Sequence, residues 1–136
     1  MSQENVEIAR QGAEAAFRKP TPDFDAINAL YHPEHEMVSL AERLEGGVVK
    51  GSGGYSAWIA SNAEIWESWD AAITDVVAVD CDRVLVETVF TATSKRGGVP
   101  VTQPIAGILT IRDGKIVRSD LYGSRAEPLA AVGLRE

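Results

Sequence analysis

Hydrophobic residues in the first part of the chain recur at helical spacing. The spacing of three or four residues predicts an amphipathic helix that stops at Lys19-Pro20, with an apolar stripe of Val6, Ala9, Ala13, Ala16 and Phe17. Thr21-Pro22-Asp23 then predicts a second helix start, with a capping hydroxyl, proline at the first helical position and a carboxylate near the positive helix end. Its stripe contains Phe24, Ile27, Leu30 and Tyr31.

The stretch Tyr31–Met37 contains both histidines of the chain. His32 precedes Pro33, and a residue before proline avoids the α conformation, so the second helix is predicted to end at His32. A short strand is predicted from Glu34 to Leu40. A loop follows, with a brief strand at Val48-Val49 and then a third helix from about Tyr55 to Trp69. This helix is predicted to carry Trp58, Trp66 and Trp69, with Asn62 within its apolar face.

After Ala72 the pattern changes from helical to strand-like. The predicted strands are 73–79, 83–93, 101–112 and 115–122, which are rich in β-branched residues. Turns are predicted at Asp80-Cys81-Asp82, at Gly97-Gly98 and at Asp113-Gly114, the last being a strong hairpin signal. Helices followed by antiparallel strands predict a single α+β domain over residues 1–136, with helices on one face of the sheet.

Charge and composition disfavour several classes of function. A formal net charge of −7 and an isoelectric point near 4.8 disfavour binding to nucleic acid or to an anionic membrane surface. No apolar run approaches the ~20 residues of a membrane span, and the polar start does not resemble a signal peptide. Cys81 is the only cysteine, so no internal disulfide forms. These features predict a cytoplasmic protein.

No convincing metal or phosphate site is apparent. His32 and His35 are three residues apart, but Pro33 prevents them from sharing a helical turn, so no metal ion and no cofactor are expected. The glycine-rich stretch before Tyr55 lacks the Lys-Ser/Thr ending of a phosphate-binding loop. Cys81 lies between two aspartates and has no nearby base to activate it.

Three stretches carry a resemblance to a known family. SQENVEIARQGAEAAFR, VVKGSGGYSAWI and RDGKIVRSDLYGSRAEPLAAVGL resemble the SnoaL-like group of the nuclear-transport-factor-2-like superfamily, which includes polyketide cyclases, ketosteroid isomerases and limonene-epoxide hydrolases. The resemblance implies a cone-shaped, curved mixed β-sheet wrapped around N-terminal helices, with an internal cavity, as in a cystatin-like α+β barrel. The sequence departs from related sequences at Gly107 and at Ser124, which precedes Arg125.

The last predicted strand offers the sharpest catalytic hypothesis. Alternation places Arg118, Asp120 and Tyr122 on one side, and Ser119 and Leu121 on the other. The resemblance implies that polar residues of this strand reach the cavity, where Asp120 would act as a general base and Tyr122 would stabilise an enolate. The alternative is that Asp120 is a surface partner of Arg118.

Other residues are candidates for lining the cavity. His35 is a further catalytic candidate, and either His35 with Met37 or Glu36 with Val38 points inward, a choice that the sequence leaves open. The remaining ligand-binding candidates are polar or aromatic residues in apolar stretches: Tyr31, Glu36, Trp58, Asn62, Trp66 and Gln103. Glu87 shares a face with Leu85 and Val89, which suggests the outer side of the sheet.

These features predict a protein that holds a small apolar molecule in a pocket. One hypothesis is a cofactor-free isomerase, cyclase or hydrolase that acts by acid/base chemistry on an apolar carbonyl or epoxide compound. The alternatives are a binding protein without turnover and an interaction protein that works through its sheet. A homodimer through the outer sheet face is expected, because helices on one side of a broad sheet leave the other side apolar and open.

Overall fold

In the part of the chain that the structure describes, two N-terminal helices precede a six-stranded sheet. The computed structural model describes residues 2–18, 21–38, 49–50, 57, 60, 66–95 and 97–123. The elements are α1 Ser2–Ala16, α2 Phe24–Leu30, β1 Tyr31–Val38, β2 Val49–Lys50, β3 Trp66–Ala78, β4 Arg83–Ser94, β5 Pro100–Arg112 and β6 Lys115–Tyr122. No helix in the described part of the chain is long and apolar enough to cross a membrane.

The sheet combines a long antiparallel meander with one parallel pairing. The strand order is β2-β1-β6-β5-β4-β3, in which β1 runs parallel to β6 and all other neighbours are antiparallel. The β5–β6 turn contains Asp113 and Gly114, which have φ angles of 52° and 76° and confirm the hairpin signal. Helices followed by a curved mixed sheet confirm the predicted α+β fold.

The two faces of the sheet differ in what covers them. The inner face is the side on which α1 packs, and its buried members include Val84, Val86, Leu109 and Ile111. The outer face is the opposite side, where Leu85, Ala106 and Ile108 form a smaller cluster with Val79 and Tyr122. The register places Glu87 on the outer face, opposite Ala106.

Small residues let α1 approach the sheet closely. Ala9, Ala13 and Ala16 are buried in the main core. A Cβ added to Gly12 would lie 2.7 Å from Ile116 Cδ1 and 3.3 Å from Tyr31 Cε1. A side chain at position 12 would therefore require Ile116 and Tyr31 to shift where α1 crosses β1 and β6.

The boundaries of α2 differ from those predicted. Asp23 is the N-cap, and its carboxylate accepts a hydrogen bond from the Ala26 amide at 3.1 Å, so the helix begins after Pro22 rather than with it. The backbone of Tyr31 is already extended, and β1 starts there. The prediction that His32 ends a helix is wrong, since His32 lies in the same strand as His35.

The predicted C-terminal boundary of the third helix, at Trp69, is also wrong. Ala57 and Ala60 are helical, but β3 begins at Trp66. In the register with β4, Glu67 is an extra residue that forms a β-bulge directly after Trp66. The bulge places Trp66 and Trp69 on the same face although they are three residues apart. Residues three apart also lie on the same side of a helix, so the spacing of these tryptophans led to the prediction of a helix.

Candidate functional site

A buried polar pair lies on the inner face of the sheet, where β1 and β6 run in parallel. His35 Nε2 and Ser119 Oγ are 2.8 Å apart. The two residues are 0% and 2% exposed. Met37 is the register partner of Ser119, so His35 and Met37 share the inner face and Glu36 lies on the outer one. This answers the question of register that the sequence left open.

Burial keeps the His35 imidazole neutral. Loss of hydration lowers its pKa from 6.5 to about 4, and the positive charge of Arg118 contributes, while Asp120 acts in the opposite direction. At neutral pH the hydrogen bond therefore joins a neutral ring to a hydroxyl. Either Ser119 donates to Nε2, or Nε2–H donates to Oγ, according to the tautomer.

Tyr31 supports this pair from the core. Its ring lies edge-on to the His35 ring, with centroids 4.8 Å apart and an interplanar angle of 88°. Tyr31 is 2% exposed and packs beneath Gly12 of α1. The contact packs the imidazole against the core. A role of Tyr31 in ligand binding stays a prediction.

The structure places Asp120 and Tyr122 on the outer face. Asp120 is the register partner of Ile108, and Tyr122 that of Ala106, both in the outer cluster. This side of β6 is therefore opposite to the one on which α1 packs, and whether Asp120 and Tyr122 serve a site stays a prediction. Ser119 is on the inner side instead. Side chains alternate along a strand, so a shift of the pairing register by one residue moves every side chain to the opposite face. The sequence alone does not determine that register.

Arg118 forms a bidentate ion pair with the Asp120 carboxylate. Its Nε and Nη2 donate to the two carboxylate oxygens at 2.9 and 3.0 Å, and its Nη1 donates to Glu36 at 3.2 Å. The hydrogen bond with Asp120 is the main cause that raises the pKa of Arg118. This ion pair matches the partner of the alternative interpretation, although the Asp120 side chain is partly buried, with 17% of it exposed. The role of Asp120 as a general base stays a prediction.

A second inner-face feature is an aromatic cluster, defined here as Trp66, Trp69 and Phe90. Phe90 lies at 60° to Trp66, with centroids 5.8 Å apart, and nearly parallel to Trp69 at 6.1 Å. Each is only partly buried. Gln103 is the register partner of Phe90 and so shares this face, although its amide donates to the Pro104 carbonyl at 2.7 Å.

Some predicted site residues lie outside the described part of the chain, namely Trp58 and Asn62. Sequence reasoning also missed two residues that the fold brings to the site. Phe90 was treated only as a strand residue, and Ser119 only as the neighbour of Asp120. The pairing of β1 with β6 joins segments about eighty positions apart, and no local pattern in the sequence indicates it.

The structure separates the two histidines. His32 Nδ1 accepts a hydrogen bond from the Glu34 amide at 2.9 Å, whereas the His35 ring is directed into the core. Within the described residues, Asp80, Cys81 and Asp82 bring three potential metal ligands within 4.8 Å of one another. Asp80 is bound by the Arg83 guanidinium, which donates from Nε at 2.7 Å. This turn is therefore held by an ion pair of its own.

Over the described ranges of the chain, helices α1 and α2 on a curved mixed sheet, with a polar pair between β1 and β6, define an α+β protein of ketosteroid isomerase-like fold. The SnoaL-like domain family matches residues 11–119, so the chain belongs to this family. A comparison with curated proteins finds no significant match.

Solved structures show the same fold. A protein of ketosteroid isomerase-like fold from Catenulispora acidiphila DSM 44928, in complex with trimethylamine, is 25% identical over 94% of this chain and 93% of its own, with a TM-score of 0.71. A putative SnoaL-like polyketide cyclase from Jannaschia sp. CCS1 is 17% identical over 98% and 94%, with a TM-score of 0.74. TerC, co-crystallised with polyporic acid, is 23% identical over 96% and 97%, with a TM-score of 0.73.

Proposed function

We propose that this chain binds a small apolar molecule on the inner face of its sheet, without a cofactor. The aromatic cluster carries this proposal. Trp66, Trp69 and Phe90 are large, partly exposed and on the inner face, yet they do not belong to the described core around α1. Apolar surface of this kind, next to few polar groups, is typical of small-molecule sites.

The relatives support a small ligand. The Catenulispora protein was solved with trimethylamine and TerC with polyporic acid, and both match nearly the full length of this chain. The two ligands differ in size and charge. These complexes support a small ligand for this fold, and the apolar character proposed for the ligand follows from the residues of this chain.

Acid/base turnover is the second candidate function, and the His35–Ser119 pair favours it. A neutral imidazole on the inner face would be able to hydrogen-bond the oxygen of a carbonyl or epoxide compound, as an isomerase, cyclase or hydrolase requires. However, a pKa of about 4 makes His35 a weak base at neutral pH. Both members of the pair are also closed off from solvent. Binding without turnover is thus better supported.

A ligand screen with matched variants tests the proposal. Apolar ketones, naphthoquinones and terpene epoxides are screened by thermal shift, and hits are incubated and analysed by mass spectrometry for products. Phe90→Ala on the inner face is expected to abolish the ligand-induced shift, because it removes the centre of the aromatic cluster. Val89→Ala, the neighbouring residue on the outer face, is expected to retain it.

Two outcomes would contradict the proposal. One is a ligand whose binding survives Phe90→Ala and is lost in Val89→Ala, since that would locate the site on the outer face. The other is a panel without any binder. Product formation that disappears in His35→Gln, while binding persists, would instead establish the second candidate function.

A further inference from the structure

We propose that the His35 side chain attaches a bulge of β1 to β6 and that this attachment is sensitive to acid, so that protonation of the imidazole releases the bulge. This β1 bulge is defined here as residues 32–35. The inference goes beyond the proposed function, because it concerns the conformation of the protein without a ligand. It predicts a local opening of β1 that is separate from unfolding of the whole sheet.

The β1 bulge interrupts the pairing of β1 with β6. The register pairs on its two sides are Tyr31 with Ile116 and Glu36 with Arg118. Four residues of β1 therefore lie opposite a single residue of β6, Val117. A regular parallel pairing has evenly spaced backbone hydrogen bonds, and this spacing is lost over the bulge. Side-chain contacts therefore contribute more to holding the chain here than in a regular pair of strands.

The β1 bulge is exposed at its centre and buried at its end. His32 Nδ1 accepts a hydrogen bond from the Glu34 amide at 2.9 Å, and Pro33 and Glu34 are exposed. The His35 ring then returns to the core, where it is 0% exposed and its Nε2 lies 2.8 Å from Ser119 Oγ. The hydrogen bond between His35 and Ser119 thus joins a solvent-exposed bulge to the middle of β6.

Burial makes this attachment sensitive to acid. Loss of hydration is the main cause that lowers the pKa of His35 from 6.5 to about 4. When the β1 bulge opens, the ring regains water and its pKa returns toward 6.5, so the open form takes up a proton before the closed form does. Opening should therefore become about twentyfold more favourable between pH 7 and pH 5.

The charges around the His35 ring act in both directions. Arg118 of β6 opposes protonation and Asp120 favours it, and these two residues form an ion pair on the outer face. Glu36, the neighbour of His35 in β1, also binds Arg118. Other charged side chains on adjacent elements lie at the surface: Glu7 with Arg10, Asp23 with Arg18, Lys115 with the Ala29 carbonyl, and the exposed Glu14 and Asp25. Hydration of the imidazole is thus the main control on its protonation.

Amide hydrogen exchange separates local opening from global unfolding. Protection factors, which correct for the intrinsic pH dependence of exchange, are measured by NMR at pH 5, 6 and 7 and at several low urea concentrations. The amides of residues 35–37 report on the β1 bulge, and those of Leu85 and Ile108 report on the pairing of β4 with β5. We expect the amides of residues 35–37 to be less protected and insensitive to urea, and to lose protection about twentyfold between pH 7 and pH 5.

Three variants assign the response to one side chain. His35→Gln keeps a hydrogen-bonding group that does not titrate, so it should remove the pH dependence at residues 35–37. His32→Gln is the matched control, because it changes the other histidine of the β1 bulge, and it should retain the twentyfold loss. Ser119→Ala removes the hydrogen-bond partner, so it should lower protection at pH 7 by roughly three- to tenfold while the pH dependence persists. The exchange data for the unmodified protein test the inference even if a variant folds poorly.

Four results would overturn the inference. The first is equal protection and equal urea dependence at residues 35–37 and at Leu85 and Ile108, since β1 would then open only with the whole sheet. The second is local opening that does not change between pH 7 and pH 5. The third is a pH dependence that persists in His35→Gln. The fourth is a lack of protection at residues 35–37 at pH 7, because the β1 bulge would then not be held at all.

Discussion

The imidazole of His35 has no solvent-exposed surface, so its protonation is linked to unfolding. Its pKa is about 4 in the folded protein and 6.5 in an exposed reference state. As the pH falls, the unfolded chain therefore takes up the proton first. The folded protein loses stability from about pH 6.5 downward, and the loss is complete below about pH 4.

This linkage gives a measurable pH dependence. Between pH 7 and pH 5 the free energy of unfolding should fall by about 2 kcal/mol through His35 alone. Urea unfolding at pH 5, 6 and 7 measures this fall, and His35→Gln should remove most of it. His32→Gln is the control and should leave it unchanged. A slope that persists in His35→Gln would show that other groups cause it.

The ion pair of Asp120 leads to a second expectation. Because both carboxylate oxygens accept from Arg118 on the outer face, Asp120→Asn should lower the free energy of unfolding by only about 1 kcal/mol. Binding of a ligand on the inner face should be unaffected. Urea unfolding and ligand titration measure both quantities. Loss of turnover in a well-folded Asp120→Asn protein would restore Asp120 as the general base.

At the scale of elements, the close contact between α1 and the sheet depends on one glycine. Gly12→Val should lower the free energy of unfolding by roughly 1–3 kcal/mol, because the new side chain overlaps the space of Ile116 and Tyr31. Gln11→Val, the exposed neighbour in the same helix, is the matched control and should cost far less. Equal losses in the two variants would mean that helix propensity, rather than packing, causes the effect.

The elements also show where sequence patterns succeed. Alternation predicted the four strands of the meander, and Asp113-Gly114 predicted their last turn, because these signals are local. The start of β3 was mistaken for helix because a bulge gives Trp66 and Trp69 a helical spacing. Alternation also grouped Asp120 with Tyr122 correctly, but which side of the sheet α1 covers depends on long-range packing that no local signal encodes.

At the scale of the whole molecule, we expect a homodimer formed through the outer face. Val77 and Val89 are partly exposed on this face, beside the cluster around Leu85. Sedimentation at micromolar concentration should give the mass of a dimer, and Val89→Glu should shift it toward a monomer. Val99→Glu is the control, because Val99 is 57% exposed in the β4–β5 loop. A monomer for the unmodified protein would contradict the expectation.

The bulges of β3 affect how readily another chain could pair with this edge of the sheet at high concentration. β3 is an edge strand, and a long regular edge is a template on which another chain adds a strand. Its bulges after Trp66 and after Ile73 interrupt the spacing of backbone donors and acceptors. The bulge that assembles the aromatic cluster thus also makes β3 a poor template for intermolecular strand pairing.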